Sequence, residues 1–483
     1  MKEIRLQRYL MVFLLLAGFL SCSDDDNDVV QRRKLEFSVS PSQIDFGGDG
    51  GNSIININAN TNWNISGNTD WVTLSSQSDS KSGKISLKAL KNTDTIARNS
   101  TLTVKSGDAS QEIKISQAGA MPQTDGEITY AIPPDSTGMS SLPSIQFADQ
   151  MQIGWNLGNS LESIGGETNY GNPLVTKQLI DSVKAAGFDA VRIPVAWSKF
   201  SNETDFTIDA TWMSRVEEVV NYALDNDLYV IMNEHWDGGW MQPTYADQEY
   251  VNNRLEAMWT QIATHFRDYG DHLLFAGTNE VLVEGDYGTP TEEFYTVQNS
   301  FNQTFVNAVR ATGGKNVYRY LVVQGFNTNI DHTVSFAEIP EDVVSDKLMM
   351  EVHYYDPYNF ALNENSDITQ WGNDAEDPSK VDSWANESYV DSQFQKMKTN
   401  FIDEGVAVIL GEYGAISRTD VEGHDAYRQY YDQYITQAAA QNGMIPFYWD
   451  NGFAGNHGFA LFDRADGTVL ETELLKGMLD GVN

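Results

Sequence analysis

"HLLFAGTNE", residues 272–280, is an apolar run that stops on a carboxamide, Asn279, and a carboxylate, Glu280. Seven further runs of the same kind follow or precede it: "QIGWNLGN", "AVRIPVAW", "LYVIMNEHW", "YLVVQGF", "LMMEVHYY", "VAVILGEYG" and "IPFYWDNG". Buried parallel strands read as near-continuous apolar runs. Between them the period changes to that of a helix. "TWMSRVEEVVNYAL" sets Val216, Val219, Val220, Ala223 and Leu224 on one face, and "NRLEAMWTQIATHF" does so with Leu255, Met258, Trp259, Ile262 and Phe266. Eight strands alternating with helices over residues 140–483 predict an α/β fold, a (β/α)8 TIM barrel. A doubly wound open sheet is the alternative, but the first turn lacks the glycine pattern of a dinucleotide site.

Upstream, residues 35–118 carry a period of two. "IININ", "KISLK", "STLTVK" and "QEIKIS" alternate Ile55, Ile57, Ile85, Leu87, Leu102, Val104, Ile113 and Ile115 with polar residues. Short alternating strands split by Gly, Ser, Asn and Asp predict a small all-β immunoglobulin-like sandwich. Trp63 and Trp71 fall within strand-like runs, where core packing is expected ahead of sugar stacking. The order "NTNWNIS", "DWVTL", "ARNSTLTV", "IKISQAG" resembles the BACON module, which implies a sugar-binding domain or a spacer. Residues 119–139, rich in Gly, Pro, Ser and Thr, are expected to form a linker.

The chain of 483 residues has a formal net charge of -37, which argues against nucleic acid as a partner and leaves a neutral polysaccharide acceptable. Its one cysteine, Cys22, rules out a disulfide framework. Lys2, Arg5 and Arg8 precede a 12-residue apolar stretch, Tyr9 to Leu20, too short to span a bilayer and laid out as a secretory signal over residues 1–21. "FLSC" resembles a bacterial lipobox with Phe19 in place of the usual Leu, which implies lipidation of Cys22. "SDDDND" opens an acidic tether, residues 22–34, and resembles the signal that sends Bacteroidetes lipoproteins to the outer face of the outer membrane. The expected partners are therefore a polysaccharide and, through the lipid, the outer membrane. A monomer is the default.

In a barrel of this kind the active site lies at the C-terminal strand ends. The first run ends in Asn156 and Asn159, and the second carries Arg192 and Trp197. The third ends in His235, Trp236 and Asp237, with Trp240 just beyond, and the fourth in Asn279 and Glu280. His353 and Tyr355 close the sixth, Glu412 the seventh, and Trp449 and Asp450 the eighth; Gln324, on the fifth, adds nothing distinctive. Cleaving an acetal by double displacement needs a carboxylic acid for the leaving oxygen and a carboxylate for the oxocarbenium-like centre, about 5 to 5.5 Å apart. Strands four and seven face each other across a barrel, so Glu280 and Glu412 fit those roles. Arg192 beside Glu412 is expected to keep it ionised, while Trp449, Trp236 and Trp240 suit the apolar faces of sugar rings.

"GWNLGNSLE", "VRIPVAW", "VIMNEHWDGGW", "FAGTNE", "EVHYYDPYNF", "VILGEYG" and "YWDNG" resemble, in order, the motifs of family 5 glycoside hydrolases. They are most similar to the branch of endo-β-1,4-glucanases acting on xyloglucan and mixed-linkage glucans. The resemblance implies Glu280 as acid/base and Glu412 as nucleophile. It places Asn279 on the 2-hydroxyl of the sugar, Tyr355 against the nucleophile, and His353 and His235 in the same subsite. Arg192 orients Glu412, Trp449 is the floor, and Asn156, Trp236 and Trp240 complete a substrate-binding set. Two departures stand out: many relatives have a second histidine where this chain has Trp236, and the usual "NEP" is "NEV", with Val281. The resemblance implies no cofactor. No helical histidine pair or Asp/His cluster with metal spacing is found among the seven histidines. A β-mannanase on the same scaffold and a surface glycan-binding protein without activity are the alternatives.

Overall fold

The computed structural model describes residues 36–46, 50–67, 69–94, 96–117, 119, 128–235 and 238–482. Cys22, the signal and tether segments, most of the linker's first half, Trp236 and Asp237 lie outside them.

The N-terminal unit is two facing sheets. One pairs Phe37–Ser40, Gly51–Ala59, Gly83–Ala89 and Val72–Leu74; the other pairs Gln43–Phe46, Ala109–Gln117, Arg98–Ser106, Trp63–Ser66 and Ser78–Asp79. All eight alternating residues expected inside are buried between them. Trp63 joins that core at 2% exposure, its indole N–H donating to the Lys81 carbonyl at 2.8 Å. Trp71 is half-buried at the edge, with the Arg98 guanidinium 4.7 Å from its ring centroid.

The second unit is a closed barrel of eight parallel strands in chain order. They are β1 Gly154–Leu157, β2 Ala190–Ile193, β3 Tyr229–Asn233, β4 Leu273–Ala276, β5 Leu321–Gln324, β6 Leu348–Tyr354, β7 Ala407–Tyr413 and β8 Met444–Asp450. The main helices around it are α1 Lys177–Ala186, α2 Ala210–Leu224, α3 Gln248–His265, α4 Glu292–Ala311, α5 Ile330–Phe336, α6 Glu387–Met397, α7 His424–Gln441 and α8 Thr472–Val482. Local chemistry sets several of their ends. The Thr176 hydroxyl accepts the Leu179 N–H at 3.2 Å to start α1, and Asp209 accepts from Thr211 and Trp212 to start α2.

Strand alternation divides the apolar residues into two cores. Val191, Val230, Phe275, Val323, Val352, Leu410 and Tyr448 face outward into the helix layer. Ile231, Leu274, Val322, Met349, Ile409, Ile445 and Phe447 fill the barrel interior. The short helix Ser144–Ala148 plugs its lower end, where Phe147 stacks on Tyr320 with centroids 3.8 Å apart. Each such side chain, fully buried, contributes about 1.5–3 kcal/mol, so the interior is a packed floor under whatever the strand ends present. The barrel unit begins earlier than residue 140. Within the segment expected as linker, the Ala131 N–H donates to the Ala311 carbonyl at 2.8 Å and that of Asp135 to Gly314 at 3.1 Å. These backbone bonds tie residues 131–135 to the end of α4, which the Gly/Pro/Ser/Thr composition does not reveal.

Candidate active site

The interior alternation continues upward into polar residues. Above Ala190 comes Arg192, above Ile231 comes Asn233, above Val322 comes Gln324, and above Met349 come Glu351 and His353. Phe447 is followed by Trp449 and Gly154 by Asn156. Strand β7 breaks the rule. Its pairing with β6 runs Val352 to Leu410 and then His353 to Glu412, leaving Gly411 as an extra residue. Without that bulge Glu412 would face outward; with it, the carboxylate turns into the barrel mouth. Gly411 also makes room, since a Cβ there would lie 2.0 Å from Glu351 Oε1.

Arg192 is fully buried and is the hub of the site. Its Nη1 donates to Glu412 Oε1 at 2.8 Å and Asn156 Oδ1 at 3.0 Å, its Nη2 to Asn279 Oδ1, and its Nε lies 2.9 Å from Glu351 Oε1. Because arginine only donates, Asn279 must point its oxygen at it. Asn233 supports the same oxygen at 3.4 Å, which leaves the Asn279 Nδ2 facing away from the hub. Tyr355 Oη donates to Glu412 Oε2 at 3.1 Å. His353 sits between three carboxylates: Nδ1 is 2.6 Å from Glu280 Oε1 and 3.7 Å from Glu412 Oε2, and Nε2 is 3.2 Å from Glu351 Oε1. Glu280 is half-buried and has a left-handed backbone, φ 48°, a conformation costing about 1–3 kcal/mol in a non-glycine residue. Gln324 steadies it by accepting the Glu280 N–H at 3.0 Å.

Charge follows from these contacts. Burial opposes a charge on His353, yet Glu412, Glu280 and Glu351 overcome it and raise the imidazolium to about 9. Burial pushes the Glu412 carboxyl above its ordinary value, with His353 and Arg192 pulling the other way. Arg192 thus acts in the expected direction, but burial outweighs it and sets the net one. Glu351, though fully buried, is lowered by Arg192 and His353. Tyr355 stays a phenol, pushed well above 10 by burial and by the neighbouring Glu412 and Glu280. His235 is held well below 6.5 by burial, Arg192 and His353, and is neutral. The Asn233 amide donates to its Nδ1 at 3.1 Å, since Asn233 Oδ1 accepts from Val195, so the proton sits on Nε2. Its ring is parallel to Trp449, 8° apart with centroids 5.9 Å distant.

Glu280, His353 and Glu412 each bring one ligand-type atom within 4.8 Å of the other two, the only such trio among the described residues. A metal needs a neutral imidazole lone pair, whereas both nitrogens of His353 face carboxylates and the ring is cationic up to about 9. In the trio, a cationic ring thus lies between carboxylates.

Of the residues singled out in sequence, the structure gathers Arg192, Asn279, Glu280, His353, Tyr355 and Glu412 into one network, with His235 and Trp449 beside it. Two expected substrate contacts, Asn156 and Arg192, are placed otherwise. Asn156 is fully buried and donates to the carbonyls of Gly411, Phe447 and Tyr448 while accepting from Arg192. It and Arg192 support the site from below and do not reach the cleft. Trp240 is half-buried, bonded to Glu234 at 3.3 Å, with the Arg254 guanidinium 4.6 Å from its ring centroid. Trp197 and Asp450 are also internal, the latter paired with Arg464 at 3.0 Å. Glu351 and Gln324 were not anticipated. A glutamate two residues before His353, inside an apolar strand, shares its face, and that spacing was the available signal.

Glu351 makes a pH prediction. His353 is held at about 9, above its unfolded value near 6.5, so the stability from its charge is complete below about 6.5 and lost as pH rises through about 9. Glu351→Gln removes one of three anions and should move that alkaline loss to lower pH. Melting temperatures between pH 6 and 10 check this; superimposable alkaline profiles for both proteins would count against the network.

One carboxylate oxygen of Glu280 lies within 4.8 Å of one of Glu412, the latter fixed by arginine and tyrosine; that closeness fits a glycoside hydrolase that works with retention better than the separation of about 6.5–9.5 Å in inverting enzymes. Residues 156–455 match the family model Cellulase (glycosyl hydrolase family 5), and residues 61–118 match BACON. The chain belongs to glycosyl hydrolase family 5. It is 38% identical to the xyloglucan-specific endo-beta-1,4-glucanase BoGH5A of Bacteroides ovatus, over 98% of this chain and 96% of that protein. It is 39% identical to endoglucanase A of Paenibacillus barcinonensis, covering 71% of this chain and 91% of the other. Among solved structures, the B. ovatus GH5 xyloglucanase in complex with a XXXG heptasaccharide is similar at TM-score 0.71 and 38% identity, covering 93% of this chain and all of that one. A GH5-4 broad specificity endoglucanase from Bacteroides salanitronis is similar at TM-score 0.67 and 41% identity, covering 71% of this chain and 96% of the other.

Proposed function

We propose that the chain is an endo-acting β-1,4-glucanase that cuts xyloglucan, or the related mixed-linkage β-glucan, by double displacement. The observation that carries this is that Glu280 and Glu412 meet at the barrel mouth, with one carboxylate oxygen of each within 4.8 Å of the other. Glu412 attacks the anomeric carbon while Glu280 protonates the departing oxygen. Glu280 then takes a proton from the water that releases the glycosyl-enzyme. Asn279 Nδ2 and the Nε2–H of neutral His235 are donors for sugar hydroxyls, and Trp449 supplies the stacking floor. The xyloglucan-specific relative, matched over nearly its whole length, supports the choice of glucan.

The same proposal lipidates Cys22 and sets a monomer on the outer face of the outer membrane, on the strength of the basic, apolar and acidic order of residues 1–34. The sandwich then acts as a spacer. Its two tryptophans support that role, one being buried in the core and the other lying beside Arg98.

The test is a rate and product profile on xyloglucan, mixed-linkage β-glucan, cellulose and β-mannan. Rapid chain shortening of the first two with no new reducing ends from mannan is expected. Fastest cleavage of mannan would contradict the assignment, and tight binding without cleavage of any glucan would mark a binding protein.

A further inference from the structure

One cavity, of about 710 Å³, touches Glu280, His353 and Tyr355 but neither Glu412 nor Trp449. With Glu280 as the acid, a space that meets the acid and misses the nucleophile lies on the side of the departing sugar. It does not follow the mouth of the barrel. His353 and Tyr355 face inward, whereas Tyr354 between them faces outward and packs edge-on against Phe394 of α6, centroids 5.2 Å apart. Tyr354, and Tyr389 and Gln393 of α6, line the cavity too, so it passes over the end of β6 and descends towards the helix layer.

The wall of the cavity behind β6 holds buried polar groups. Tyr354 Oη and Gln393 Oε1 are buried without a hydrogen-bond partner among the described residues, their residues being 3% exposed. Leaving such atoms unpaired costs about 1–3 kcal/mol each. Gln393 is oriented by donating its Nε2 to Asp331 Oδ2 at 3.3 Å, which turns its oxygen away from that carboxylate. Asp356, another lining residue, is raised to about 6 by burial and by Asp331, and no hydrogen bond to its carboxylate is found among the described residues. At the mouth stand two exposed rings, Tyr358 at 59% and Tyr287 at 74%. Rings at the entrance and paired donors and acceptors below are the requirements of a small polyhydroxylated ligand.

We propose that this cavity is a side pocket on the leaving-group side that receives a sugar branch of the departing unit, not a unit of the main chain. The direction of the cavity, out of the barrel mouth and behind β6, is what separates a branch from the backbone. The inference rests on Glu280 being the acid of a glucanase.

Gln393→Met keeps the side chain's length and removes its hydrogen-bonding groups; Tyr358→Ala removes an exposed ring, a change with little bearing on folding. For each, kcat/KM is measured on branched xyloglucan, on unbranched mixed-linkage β-glucan, and on an aryl β-cellotrioside that has no leaving-side sugar. A loss of about tenfold or more on xyloglucan, with less than twofold change on the other two, is expected. Equal losses on all three, or none on xyloglucan, would overturn the pocket. So would a loss on both polymers alone, which would assign the cavity to the main chain. Wild-type turnover of the aryl glycoside without turnover of xyloglucan would overturn the branch pocket and leave the hydrolase standing. No wild-type turnover of any of the three would overturn the reading beneath it.

Discussion

Glu412→Gln is expected to lower kcat on the order of 10⁴-fold or more while leaving the thermal unfolding transition near that of the wild type. The two consequences come from different properties of one side chain. Glutamine keeps an oxygen to accept from Arg192 Nη1, now at 2.8 Å, and a polar atom beside Tyr355 Oη, now at 3.1 Å. The packing of the site is therefore retained. Burial works against the Glu412 charge, so losing that charge does not remove a strongly favourable term. An amide cannot form the acyl-type bond to the anomeric carbon, and turnover stops at that step. Near-wild-type rates from a variant confirmed by mass would contradict the role given to Glu412.

Arg192→Met should damage stability and activity together. Arg192 is fully buried, touching Glu351, Glu412, Asn156 and Asn279 with one guanidinium. Removing it leaves two buried carboxylates with His353 as their one cation. Breaking a buried ion pair from one side costs about 3–5 kcal/mol, a fall in melting temperature of roughly 4–7 °C for a unit of this size. The Glu412 carboxyl, already raised by burial, rises further, so the acid limb of the rate profile should move to higher pH. Lysine in the same place restores the charge but cannot reach four partners, so recovery is expected to be partial. A melting temperature unchanged within a degree would mean that Arg192 is not the hub described above.

The barrel was legible because its strands are buried on both faces. Each of the eight apolar runs falls on one strand of the closed sheet, and the polar residues ending them converge. What was not legible is which of those residues face the cleft. Asn156 and Arg192 are polar residues at strand ends, yet both are spent inside the protein, because alternation puts them beneath the cleft and a buried amide must bond to something. Glu412 is the converse. Counting by twos from Ala407 and Ile409 points it outward, and one unpaired glycine in the ladder reverses it. Gln324 carried no signal in sequence, since its work is on the backbone N–H of Glu280, a group that every residue has. Glu351 hid in the same way, as an acidic residue in an apolar run whose partners are 159 positions earlier and two positions later.

The most direct test of the central claim is to trap the covalent intermediate. Incubation with a 2-deoxy-2-fluoro β-glucan oligosaccharide bearing a good leaving group, followed by peptide mass spectrometry, should place one glycosyl group on Glu412. Label on Glu280 or on any other residue would contradict the account, as would a first product of inverted anomeric configuration.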